Sequence, residues 1–425
     1  MARNNERLSK ELEPLCKNLT DAVSGLGSSG GRESVISAAK AIIHAAQDAQ
    51  ELYVHFAVNK CEIIVMRLFL KWEVFQGIPL QGSISFSELA AKIGAEVGLI
   101  ARLSRMLIAS GMLSLAGKDQ VAHTHRSRMI AEDPLFRSTA KLILYEDFPQ
   151  AAGTPEYFEH YGRREPAGKA HTPYGFRKGQ PEKTVFELMG EQPQLVQIFM
   201  EAMVRTQEFL STSHYDVSWI VAAENDDDDG DDNDDDDDDD DRPLLVDVGG
   251  GAGQALRDIL SRTPGLPRER CVLQDRAEVI ERNKKTGGGD PELSGVRMMA
   301  VDFHQEQPIK GTLTLHYLFQ SLSLCARAYL IRRCLHDYGD KECAGILRQI
   351  EGAMDNDSRL LIMEMVLLPD SPPFCYAMDM AMMGIAGKER TLDDWEALTA
   401  EAGLKISKVV PAHGIGLSVL ECVKG

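Results

Sequence analysis

The chain has 425 residues, 44% hydrophobic and 26% charged, the balance of a soluble globular protein with room for two or three domains. Its net charge of −19 is concentrated in one place: residues 226–241 hold 14 Asp, and setting them aside leaves −5. No basic stripe remains to neutralise phosphates, which argues against a nucleic-acid partner. Eight scattered cysteines without CxxC or metal-ligand spacing read as reduced thiols of a cytoplasmic protein with no bound metal.

The N-terminal stretch MARNNERLSKELEPL lacks the apolar core of a signal peptide. The most apolar early segment, CEIIVMRLFLKWEVF, is interrupted by Glu62, Arg67 and Lys71, so a core helix is expected there and not a membrane span. Residues 34–80 carry apolar positions at helical spacing. SISFSELAAKIG, from Ser83 to Gly94, then offers a Ser cap, a short helix and a Gly stop, followed by a second helix and a short polar–apolar wing. That order is the pattern of a winged helix. Its second helix carries only Arg102 and Arg105 beside Leu99, Ile100, Leu103, Met106 and Leu107, which favours packing or dimerisation over groove reading. Residues 1–125 are therefore expected to form a mostly helical winged-helix dimerisation domain.

Residues 126–223 read as a helical linker with a polar loop inside. Residues 224–242 hold the acidic run, expected to be a disordered insert; a calcium site is disfavoured because such a run supplies no defined cage. From 243 to 425 strands alternate with helices: PLLVDVGGGAG, RCVLQDRAEVI, VRMMAVDFHQEQP, ARAYLIRRCLHDYGD and SRLLIMEMVLLPD each bring a strand to a polar turn. The pattern predicts an α/β, Rossmann-like domain with a mostly parallel sheet, whose ligands bind at the carboxyl ends of the strands.

The first strand ends at Gly249, Gly250, Gly251 and Gly253, where the lack of β-carbons lets a ligand press on backbone. The full GxGxxG fingerprint of dinucleotide sites is missing, which disfavours an NAD-dependent oxidoreductase. Asp247, two residues before the glycines, suits an ammonium group better than a pyrophosphate. Asp275, at the end of the second strand, is placed for ribose hydroxyls, and Asp302 and Phe303, after the third, for adenine. Together they point to S-adenosylmethionine. A sulfonium methyl donor needs an activated nucleophile, and His336, beside Asp337 at the end of a further strand, suits a general base that takes the proton of a phenol hydroxyl. Glu364, inside the apolar strand LLIMEMVLL, and Glu389, in GKERT, are both candidates to accept a hydrogen bond from the second ring nitrogen.

VDVGGGAG, LQD, DFHQEQP, LIRRCLHDYGDKE, LIMEMVLLPD and GKERTLDDWEALTAEAGLKI together resemble the class I S-adenosylmethionine-dependent O-methyltransferases of the plant caffeate type and their fungal relatives, over nearly all of 40–425. The resemblance implies a homodimer acting on a small phenolic or polyketide-type acceptor in fungal secondary metabolism. It implies His336 as base flanked by Glu364 and Glu389, and Asp247, Gly249, Gly251, Asp275, Asp302, Phe303 and Arg332 at the cofactor, Arg332 standing where relatives often have Lys. Phe186, Met203 and Asp337 would face the acceptor.

The pattern departs from the family at Thr312 to Cys325, an apolar, β-prone segment without a counterpart. Accommodated badly, it would disturb the adenine site, so a catalytically silent dimeric scaffold is the alternative reading. A winged-helix transcription regulator is disfavoured by the acidic balance.

Overall fold

The computed structural model describes residues 2–27, 31–210, 215–221, 242–287, 291–310, 325–369, 371–412 and 416–425. The acidic run, and the Thr312 to Cys325 segment apart from Cys325 itself, lie outside them. Contacts divide the chain into two compact units, Met1–Leu144 and Tyr145–Gly425.

In the first unit, three long helices, Ala2–Ser24, Gly31–Ala46 and Ala49–Lys71, precede a small module. The third begins at a capping box in which Asp48 accepts from the backbone of Gln50 and Glu51. The helix Phe86–Ile93 is likewise capped by Ser85 with Glu88 and ends at Gly94, whose φ of 72° makes the left-handed stop. The helix Val97–Ala109 follows. Three short strands, β1 (Ile84–Ser85), β2 (Leu113–Leu115) and β3 (Gln120–His123), pair antiparallel in the order β1-β3-β2. This is the expected winged-helix arrangement. One detail differs: Ile100, Ala101, Ser104 and Leu107 are the buried face of the second helix, whereas Leu99 is 38% exposed.

The second unit is built on a seven-stranded sheet. Its strands are β4 (Leu245–Val248), β5 (Cys271–Asp275), β6 (Arg297–Ala300), β7 (Ala328–Arg332), β8 (Arg359–Glu364), β11 (Leu404–Val410) and β12 (Ser418–Lys424), in the order β11-β12-β8-β7-β4-β5-β6. The five strands from β8 to β6 run parallel, and β12 and β11 close the other edge antiparallel. Buried on both faces, the central strands are continuous apolar runs, which is why their sequences read so clearly. The chain reverses its direction of growth between β4 and β7, and the crevice at their carboxyl ends is the switch point where open α/β sheets bind ligands.

A separate parallel pair, β9 (Val366–Leu367) and β10 (Arg390–Thr391), joins Arg390 to Val366 just past the end of β8. It carries the 387–390 segment back to the sheet end where β7 and β8 stop.

Candidate active site

Two loops make the crevice. After β4, Gly249, Gly251 and Gly253 take φ of 70°, 61° and 81°, a left-handed course that side chains resist. Gly250 is demanded by space: a β-carbon there would lie 2.4 Å from Asp247 Oδ2 and from Leu273 Cδ1. The loop is held from outside. Gly251 donates its N–H to Asp275 Oδ2 at 2.8 Å, Arg276 donates its own to Asp275 Oδ1 at 2.8 Å, and Asn283 Nδ2 donates to Gly251 O at 2.7 Å. Asn283, 6% exposed, carries no motif that marks it in the sequence.

Asp247, expected to suit an ammonium group at the end of β4, turns out not to be exposed. It is fully buried beneath Gly250, and neither carboxylate oxygen has a hydrogen-bond partner among the described residues. Burial pushes its pKa up to about 7 against the field of Arg332. A buried, unpartnered carboxyl under a cradle without β-carbons fits a ligand that brings a positive charge to the loop. Arg332, whose Nη2 donates to Leu210 O at 2.7 Å, stands at the end of β7.

Asp302 and Phe303 separate. Asp302 is exposed, accepts from His304 N at 3.0 Å, and lines a cavity of about 610 Å³ with Phe186, Arg276, Asp337 and Tyr338. The Arg276 guanidinium lies 5.4 Å from the centre of the Phe186 ring. Phe186, expected at the acceptor, therefore sits with residues at the ends of β5 and β6. Phe303 packs instead against Gly249 and stands edge-on to Tyr338, ring centres 6.0 Å apart. Met203 is half-buried on the helix Pro193–Phe209 and is not among the residues lining this cavity.

The second loop follows β7. Arg333, at φ 51°, turns the chain out of the strand, and Leu335–Asp337 form a single 3-10 turn. His336 is 4% exposed. Its Nδ1 is 2.8 Å from Glu389 Oε1, and its Nε2 is 3.6 Å from Asp337 Oδ1. Glu364 is also buried at the end of β8, but it does not hold the ring: its Oε1 accepts from Cys334 N at 3.0 Å and Leu335 N at 2.9 Å, fixing the turn that carries His336. Of the two acids offered by the sequence, only Glu389 is the imidazole's hydrogen-bond partner.

Burial opposes charge on His336, yet the fields of Glu364, Glu389 and Asp337, with the Glu389 hydrogen bond, outweigh it and raise its pKa to about 9. Near pH 7 the imidazolium is therefore favoured in the protein without ligands, although a general base needs the neutral ring. Glu364 in turn is pushed up by burial, an effect that the His336 charge opposes. His336, Glu364 and Glu389 bring ligand atoms within 4.8 Å of one another. One oxygen of each carboxylate is already used by the bonds above, and the other, Oε2, is buried without a partner among the described residues.

Glu389 is itself placed. Its N–H donates to Asp379 Oδ1 at 2.9 Å, and the neighbouring Lys388 N donates to His336 O at 2.8 Å. Gly387 makes this approach possible, because a β-carbon there would fall 2.1 Å from His336 O. Asp379, Gly387 and Arg390 escaped the sequence reading, although GKERT holds two of them beside Glu389.

Residues 240–405 match the O-methyltransferase domain family. The chain is 33% identical to the Methyltransferase cfoD of Aspergillus candidus, over 98% of this chain and 99% of that protein. It is 35% identical to the Methyltransferase pvhD of Talaromyces variabilis, over 85% and 93%. Its fold is similar to that of OxaC crystallised with SAH and oxaline, with a TM-score of 0.81 at 21% identity, covering 98% of this chain and 100% of that one. With a switch-point crevice, a glycine cradle and near-full-length similarity to fungal methyltransferases, the chain belongs to the S-adenosylmethionine-dependent O-methyltransferase family.

Proposed function

We propose that the enzyme methylates a phenolic or polyketide-type hydroxyl of a small secondary metabolite, with His336 as general base. The observation that carries this reading is the 2.8 Å bond between His336 Nδ1 and Glu389, at the mouth of the switch-point crevice. Tying Nδ1 to a carboxylate leaves Nε2 as the ring nitrogen that can take a proton from the acceptor. The carboxylate then stabilises the imidazolium that results. Glu364 contributes by holding the turn and by its field.

The glycine loop, braced by Asp275, and the buried Asp247 are the residues that would hold S-adenosylmethionine, and Arg332 and Asp302 flank them. When bound, that molecule supplies an electrophilic methyl group. Its positive charge disfavours the imidazolium of His336, so binding promotes the neutral ring that the base needs. In this reading no metal takes part: the two carboxylates balance the His336 charge and position its turn. Similarity to fungal methyltransferases supports an acceptor drawn from secondary metabolism, and the same reading takes the enzyme to be a cytoplasmic homodimer.

The test is transfer from methyl-labelled S-adenosylmethionine to a panel of phenolic and polyketide hydroxyl compounds, with the labelled position read by NMR. His336→Ala is expected to lower kcat by about 10² to 10⁴ while leaving S-adenosylhomocysteine affinity nearly unchanged, and Asp275→Ala to weaken that affinity. A chelator should leave the rate unaltered. Label found on nitrogen or carbon would overturn the hydroxyl acceptor, and a His336→Ala enzyme with near-normal turnover would remove the base.

A further inference from the structure

Arg390 is wholly buried, although it lies in a short strand beside the catalytic loop and carries a charge that water would otherwise solvate. A buried guanidinium is tolerated only when its five N–H groups find acceptors. All five do. Nε donates to Asp340 Oδ1 at 2.9 Å; Nη1 donates to Leu335 O and to Lys388 O, each at 3.2 Å; Nη2 donates to Tyr338 O at 2.9 Å and to Cys343 Sγ at 3.4 Å. The Trp395 ring covers the guanidinium, with its centre 5.2 Å away.

The choice of acceptors is informative. Leu335 O and Tyr338 O lie on either side of His336, and Lys388 O immediately precedes Glu389. One rigid planar group thus spans the two segments whose side chains meet in the His336–Glu389 bond. The backbone bond from Lys388 N to His336 O closes the same seam. We infer that Arg390 is a positioning residue for the reaction, a fork that fixes the His336 turn against Glu389 so that the imidazole presents one nitrogen to the acceptor. A lysine has the charge but not the span, since its three donors leave a single point and cannot reach carbonyls on both sides of His336.

This inference rests on His336 being the base, so the deciding experiment includes a readout that needs no acceptor. The His336 imidazole is titrated by NMR in full-length wild type and Arg390→Lys, using ring-labelled histidine and His336→Gln for assignment. Turnover and S-adenosylhomocysteine binding are measured alongside. A displaced His336 titration, kcat lower by about 10²-fold as expected for a misplacement near 1 Å, and cofactor affinity within about threefold are the expected results. Wild-type titration and kcat in the variant, whatever happens to Tm, would show a purely structural arginine and overturn the inference. So would a cofactor affinity that falls as far as kcat.

If Arg390→Lys does not fold, Asp340→Ala decides, because Asp340 is about half exposed and its removal takes away the acceptor shared by Nε and Nη2 while leaving the carbonyl acceptors in place. A smaller displacement of the same titration is then expected, and an unchanged titration rejects the role. Should the wild-type enzyme prove indifferent to His336→Ala, the base assignment falls, while the titration still reports whether Arg390 sets the ring.

Discussion

At the scale of the residue, His336 has the most consequential environment in the chain. Buried imidazoles ordinarily lose their proton, but three carboxylates around this one reverse the outcome and place its pKa at about 9. A group whose pKa is higher in the folded state than in the unfolded one stabilises the fold most where both states bind the proton. His336 should therefore contribute fully below its ordinary value of 6.5, and the contribution should be lost as pH rises through about 9. Chemical denaturation of the ligand-free protein across that window is expected to show stability falling with pH, and His336→Gln to flatten the curve. A curve of equal slope in the variant would assign the effect elsewhere. The same charge predicts that affinity for S-adenosylmethionine rises over this window more than affinity for S-adenosylhomocysteine, which lacks the sulfonium charge, and calorimetry can compare the two directly.

At the scale of the element, the loop after β4 is shaped by what lies under it. Asp247 and Leu273 occupy the volume that a side chain at 250 would need, and Leu273 is fully buried in β5, with no room to withdraw. Gly250→Ala is thus expected to cost about 1–3 kcal/mol of stability, the usual penalty for overpacking. Since the displaced atoms belong to the cradle, cofactor affinity should fall as well. Thermal unfolding with S-adenosylhomocysteine titration checks both, and a variant with native Tm and affinity would show that the loop has slack that its geometry denies. The β9–β10 pair works in the same spirit: two residues on each strand, far apart in sequence from β7, deliver Glu389 and Arg390 to the His336 turn.

At the scale of the molecule, the first unit displays exposed apolar side chains, among them Ile36, Ile43, Tyr53, Val54 and Phe56, with Tyr53 74% exposed. A homodimer would cover them, and light scattering of the purified chain should give twice the 46.9 kDa monomer mass. The insertion proposed at Thr312 to Cys325 must be redrawn by one residue before it is tested. Cys325 is buried, and its carbonyl accepts from Arg242 Nε at 2.8 Å at the entrance to β7. Removing 312–324 and keeping Cys325 is expected to raise soluble yield and turnover. Equal or lower values would mean that the segment belongs to the working enzyme.

How much of this was legible follows from the physics of each signal. Strands β4, β5, β7 and β8 announced themselves because a parallel strand covered on both faces must be largely apolar, and the polar residues that end them were the natural site candidates. β11 and β12 were missed: β11 is an edge strand with an alternating, largely exposed pattern, and Glu421 in buried β12 is acceptable only because Arg359 and Tyr215 reach it. The sequence by itself determined the family of chemistry, through a glycine turn, strand-end acids and a histidine whose spacing is local. Tertiary structure alone decided that Glu389 and not Glu364 holds the ring, that Asp247 is buried, that Phe186 sits beside Arg276, and that one arginine joins both halves of the site. Those outcomes depend on which side chains meet between segments distant in the chain, and on what burial does to their charges, neither of which a linear pattern records.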